Sequence, residues 1–222
     1  MIDESIKNHI FGIATLEAKF GAPMPKYGME PIRRSALIDA TIREIGRVGS
    51  LDVTVSQIAR RAGMSSALAH HYFGSKDRIF LAAMRQILTL FGDGVRARLA
   101  GAHTPRERLD AIIEASFADD QFDPDVIAAW LVFYVQAQTS DDAARLLRVY
   151  RKRLHTNLVA CLVELVNRDA AEHIASTLGA LIDGVYLRHA LQDLAPSREQ
   201  TLAMVTDYLD LALAREGRRK AA

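Results

Sequence analysis

The stretch from Thr54 to Lys76 constrains this chain most, because its apolar spacing describes two short helices separated by one glycine. Thr54 stands three residues before Gln57. At that spacing a threonine hydroxyl accepts the Gln57 N–H while the glutamine reaches back, so a helix is expected from about Val55. Val55, Ile58, Ala59 and Ala62 recur at three- and four-residue steps and make one apolar face. Gly63 can take the left-handed conformation that ends a helix without steric cost, and Ser65 can then cap a second helix. On that helix Leu68 and Tyr72 fall on one face, while Ser66, Ala67, His70 and His71 project in other directions. The pattern is a helix-turn-helix.

A major groove admits one α-helix. Small residues near the helix start let its backbone approach the bases, and hydroxyl and imidazole groups hydrogen-bond base edges. Ser65, Ser66, Ala67, His70 and His71 are therefore the candidates for a duplex DNA groove. Thr54 and Tyr72 offer hydroxyls, and Lys76 a positive charge, for phosphates that fix register without reading sequence. Ser75 and Asp77 open a further helix whose free N–H groups also suit phosphate. A surface helical hairpin with no ligand has the same spacing and remains open at this level. Lys26, Arg33 and Arg34, ahead of the first helix, are either a basic arm reaching phosphates or a minor groove, or a solvated charged end.

A leading helix around Ile32 to Val48, then Ala62-Gly63-Met64-Ser65, His71-Tyr72-Phe73 and Ser75-Lys76-Asp77 closely resemble, in order, the DNA-binding domain of TetR-type repressors. The resemblance implies a three-helix reading head on an all-α body. Ala67 departs from the pattern, where glycine often follows the cap, and so does Gly74, where proline or a polar residue is more usual.

With 222 residues, half of them apolar, the chain can bury a core as a small domain followed by a larger one. The net charge is +1, yet residues 24–78 carry a surplus of about +4, so the basic end is expected to face DNA. No apolar run approaches the roughly 18 residues that cross a bilayer, and Asp3 and Glu4 stand where a secretory signal would be basic, which predicts a cytoplasmic protein. The single cysteine, Cys161, lies among Leu158, Leu162 and Leu165 and reads as a small buried hydrophobe.

Beyond Ser75 the periodicity predicts helices over Lys76 to Ala100, Pro105 to Ala118, Pro124 to Gln138, Asp142 to Asn167, Asp169 to Gln192 and Arg198 to Glu216. Gly101, Thr104-Pro105, Asp123-Pro124 and Pro196-Ser197 mark the breaks. At the other end, Ile2, Ile6, Ile10, Ile13 and Leu16 have amphipathic spacing up to Gly21-Ala22-Pro23. That segment is either a helix packed on the body or a partner, or a piece upstream of a true start at Met24. The expected organisation is an extension over 1–23, a helix-turn-helix domain over 24–78, and a helical bundle for effector binding and dimerisation over 79–222.

In the body, Trp130, Phe133 and Tyr134 share a broad helical face, and Phe91, Phe117, Tyr150 and Tyr186 lie on helices that a bundle can bring near them. Either they fill the core, or they line a pocket. Converging aromatic faces attract a quaternary ammonium, and Asp183, one turn before Tyr186, adds a compensating charge. Met24 to Arg34, Trp130-Leu131-Val132-Phe133-Tyr134, Arg153 to Leu158 and Leu181 to Arg188 look like the choline-responsive members of the same repressor family. This second resemblance implies choline as the effector that relieves repression of choline uptake and glycine betaine synthesis. Tyr134 and Tyr186 stand where tryptophan is common, and tyrosine keeps a π face but is a weaker cation partner than tryptophan.

Gly184 sits mid-helix at a cost of roughly 1 kcal/mol relative to alanine, with Ala175 and Gly179 before it at helical spacing. Small residues allow close helix approach, and pairing the last two helices with a second copy gives a two-fold homodimer that reads a palindrome. No metal-protease, phosphate-loop or Gly-x-Ser-x-Gly motif is present, so no catalytic residue and no cofactor are expected, and the chain is not read as an enzyme. Adjacent His70 and His71 point about 100° apart with no acidic or cysteine partner nearby, so no metal is expected either. A body that only dimerises or docks another protein is the remaining alternative.

Overall fold

The computed structural model of the chain describes residues 28–191 and 196–221, with side chains to 219. The extension over 1–23 and Lys26 lie outside the described residues. Among those described there are nine α-helices and no strand: α1 Met29–Val48, α2 Val55–Arg61, α3 Ser66–Phe73, α4 Lys76–Leu99, α5 Pro105–Ser116, α6 Pro124–Gln136, α7 Asp141–Leu162, α8 Arg168–Ala190 and α9 Arg198–Ala221.

Local chemistry explains most of these ends. Thr54 accepts the Gln57 N–H at 3.2 Å while the Gln57 side chain accepts the Thr54 N–H at 2.7 Å, a complete capping box. The same reciprocal pair, Thr104 and Glu107, starts α5, with Pro105 at a position whose missing N–H costs nothing. At the end of α2, Gly63 has φ +67°. Its N–H donates to Arg60 O at 3.1 Å and the Met64 N–H to Ala59 O at 2.8 Å, closing the helix with two crossed bonds that need the left-handed residue.

Three sequence expectations are corrected. The first helix begins at Met29, so Arg33 and Arg34 stand on helical turns of α1 rather than on an arm ahead of it. Pro31 is tolerated there because first-turn N–H groups have no intrahelical acceptor. The helix read as Asp142 to Asn167 stops at Leu162, and Asn167 instead starts α8, its side chain accepting the Ala170 N–H at 2.9 Å. On α3 the buried pair is Ala69 and Phe73, one residue on from Leu68 and Tyr72, which are only half-buried. Ala69 lacks the bulk that would hold α3 away from Ile58 and Ala59 of α2.

Two apolar clusters result. Leu37, Ala40, Ile58, Ala59, Ala69, Phe73 and Ile79 make the small one. The large one runs through α4 to α9 and also takes in Ile45 and Val53. Helix α4 serves both, with Ile79 in the first and Phe80, Met84 and Ile87 in the second. Gly46 of α1 lies so close to the first turn of α6 that a Cβ there would stand 2.6 Å from the Asp125 Cα. Cys161 is a buried free thiol, pushed above its ordinary range by burial. No described helix is long and apolar enough to cross a membrane.

Candidate DNA-reading surface and effector site

On the head, α3 turns Ala67, His70 and His71 to solvent, with Ser66 and Tyr72 half-exposed. Several predicted contact groups already have partners. The Ser65 hydroxyl accepts the Leu68 N–H at 3.2 Å. The Thr54 hydroxyl donates to Gln57 Oε1 at 2.9 Å. The Ser66 hydroxyl donates to Ser56 Oγ at 2.9 Å across the turn, and His70 Nδ1 lies 3.1 Å from Gly74 O. The Lys76 ammonium donates to Leu51 O at 2.7 Å. Arg34 pairs with Glu30 one turn earlier at 3.8 Å, and Arg33 is half-exposed.

The head is held by Glu44, which is buried and takes a guanidinium on each oxygen: Arg47 of its own helix at 2.8 Å, and Arg61 of α2. Sequence reading missed this carboxylate, since Glu44 and Arg61 lie 17 residues apart and share no helical period. It also missed Ser56 and the exposed Arg60, which stand on α2 beside the turn.

In the body, the predicted effector residues come together. Trp130 is central: its ring lies 4.9 Å from Tyr150, 5.7 Å from Tyr134, 5.8 Å from Phe133 and 5.9 Å from Tyr186, centroid to centroid. These rings join α6, α7 and α8. Phe91 packs edge-on to Tyr150, and Phe117 stacks on Tyr186. Trp130, Phe133, Tyr150 and Tyr186 are buried, so the cluster is also core. Burial raises the phenols of Tyr134, Tyr150 and Tyr186 above their ordinary range, so all three stay neutral. Tyr134 donates its O–H to Asp183 at 2.9 Å, and Tyr186 donates to Ser116 O at 2.5 Å. The buried Trp130 N–H has no acceptor among the described residues.

Asp183 is not the free negative charge the sequence implied. Its second oxygen takes Arg151 of α7 at 3.0 Å, and the same guanidinium lies 5.7 Å from the Tyr134 ring centroid. Nothing in one sequence gives the register of α7 against α8, so Arg151 was missed. A groove of about 350 Å³ opens between these two helices, with Tyr150, Arg151 and Asp183 on its walls and Ala175, Gly179 and Ala180 on α8. A second groove of about 600 Å³ lies between α4 and α7, with Leu88, Phe91 and Leu154 along it and Arg85, Arg96 and Arg153 among its lining.

Comparison with known proteins follows the same division. A family profile described as "Bacterial regulatory proteins, tetR family" matches residues 37–83, and one described as "BetI-type transcriptional repressor, C-terminal" matches residues 105–214. The HTH-type transcriptional regulator BetI of Brucella anthropi is 55% identical over 190 residues, covering 86% of this chain and 98% of that protein. The BetI regulator of Agrobacterium fabrum is 50% identical over 190 residues, covering 86% and 92%. A TetR transcription regulator from Haloarcula marismortui superposes with a TM-score of 0.72 at 24% identity, covering 82% of this chain and 98% of the other. A regulator from Saccharomonospora viridis, solved in complex with choline, superposes with a TM-score of 0.69 at 24% identity, covering 80% and 95%. These two show a shared fold. The matched relatives are transcriptional regulators, not enzymes, and the chain belongs with them to the TetR family, as a repressor whose body is of the BetI type.

Proposed function

We propose that this repressor controls genes for choline uptake and glycine betaine synthesis from the cytoplasm, and leaves its operator when choline binds the body. The carrying observation is the set of rings around Trp130 beside Asp183, a chemistry that favours an organic cation. Support also comes from the BetI relatives and from the choline held by the Saccharomonospora protein. The Trp130 N–H, buried without an acceptor among the described residues, is a donor that the choline hydroxyl would satisfy.

In this reading a homodimer sets two α3 helices on a palindrome. Ser66, Ala67, His70 and His71 meet bases, and Thr54, Tyr72, Lys76, Arg33 and Arg34 meet phosphates. Ser65 acts through its cap. The test selects palindromic duplexes from random DNA with the full chain, then follows their binding by fluorescence anisotropy as choline is added. Choline is expected to weaken binding, and Asp183→Asn to blunt the response. Affinity unchanged at saturating choline overturns the choline assignment.

A second effector class is favoured by one observation. The larger groove carries Arg85, Arg96 and Arg153 around apolar walls, which suits an amphiphile with an anionic head. Release of the operator by such a compound, and not by choline, would decide for it.

A further inference from the structure

We propose that Arg151 is a built-in occupant of the cation site, and that an organic cation acts by displacing it. This rests on reading the Trp130 cluster as a cation site, and adds what holds that site before the effector arrives.

The guanidinium does what the ammonium of an effector would do. It lies over the Tyr134 ring at 5.7 Å, within the range of a cation–π contact, and it neutralises Asp183 at 3.0 Å. Tyr134 completes the arrangement by donating to the other Asp183 oxygen at 2.9 Å. Arg151 comes from α7, Asp183 from α8 and Tyr134 from α6, so one side chain clasps three helices. The groove beside it, with Tyr150, Arg151 and Asp183 on its walls, has about 350 Å³ of space.

Displacement is feasible because the arginine is exposed. Its side chain is 55% exposed, against 28% for Asp183, so the released guanidinium moves into water and the ion pair is a weak one. The exchange is not neutral for the fold. A quaternary ammonium matches the charge and the ring contact but has no N–H to donate, so it cannot bridge α7 to α8 as arginine does. The ligand therefore favours a state in which the clasp is open, which is the differential interaction a switch requires.

The experiment titrates tetramethylammonium chloride, then choline, into the full chain and follows the single tryptophan, Trp130, by fluorescence, with sodium chloride as the ionic-strength control. Arg151→Met, which keeps the length and removes the charge, is expected to bind tetramethylammonium on the order of tenfold more tightly than the parent. Arg151→Lys keeps the charge and is expected to stay near the parent, and Arg151→Gln, which also removes the charge, is expected to show the same gain and decides if the methionine variant does not fold. Asp183→Asn is expected to weaken binding. Equal affinity of the parent and Arg151→Met overturns the proposal, as does no tetramethylammonium binding to either. A gain for tetramethylammonium with no choline binding to any variant sustains the clasp and sinks the choline assignment alone.

Discussion

Glu44 has both carboxylate oxygens taken, by Arg47 and by Arg61, in the middle of the head. Hydrogen bonds from Arg47 first, and Arg61 second, hold its carboxyl below the usual glutamate range. The folded-state pKa is thus lower than the unfolded one. The stabilisation is fully present above the unfolded value and is lost as pH falls through the folded value. Thermal melts from about pH 7 to about pH 3 should show Tm falling below the ordinary glutamate range. Glu44→Gln should lose roughly 1–3 kcal/mol at neutral pH and show a flatter acid limb. Parallel acid limbs for the two proteins would refute the assignment. Asp183 differs at the same scale, because it is part-exposed and its arginine can leave for water. The two ion pairs of Glu44 hold the head together, and the one at Asp183 is open to exchange.

Helix α6 carries both the central tryptophan of the aromatic cluster and a close contact with α1. Its last turns carry Trp130 and Tyr134, and its first turn meets α1 at Gly46. Gly46→Ala would push a methyl against the Asp125 backbone, which cannot rotate aside as a side-chain tip can. A loss of about 1–3 kcal/mol in urea unfolding is expected. Gly184→Ala is the contrasting variant: a Cβ there meets nothing within 4 Å among the described residues, so a helix glycine gives way to alanine with a gain of up to about 1 kcal/mol. A stable Gly46→Ala protein would show that the α1–α6 contact is slack. The mid-helix cost of Gly184 therefore finds no compensating contact among the described residues. The glycine at the reading head is different in kind, since Gly63 is required by its left-handed backbone rather than by a neighbour.

For the whole molecule, Leu187 and Leu191 at the end of α8, and Met204 and Leu211 on α9, remain exposed, Leu211 at 70%. Large apolar side chains on the last two helices fit a surface covered by a second copy. Leu211→Glu should shift the chain, by light scattering, from about twice its 24.5 kDa mass toward one copy, and should weaken operator binding with it. A parent chain that is already monomeric overturns the homodimer. The helix-turn-helix was legible from sequence because caps, periodicity and a left-handed glycine act over three to five residues, and so were most helix boundaries. Three failures were local: the first helix starts at Met29 and takes in Arg33 and Arg34, Asn167 caps the next helix rather than ending the last, and the face of α3 is offset by one residue. What belongs to no short window was invisible. The rings around Trp130 were only candidates until α6, α7 and α8 took their register, and that register alone set Arg151 against Asp183 and Tyr134. Sequence determines the elements because their forces are near-neighbour. Which charges end up paired depends on helix packing, whose contacts join residues tens of positions apart.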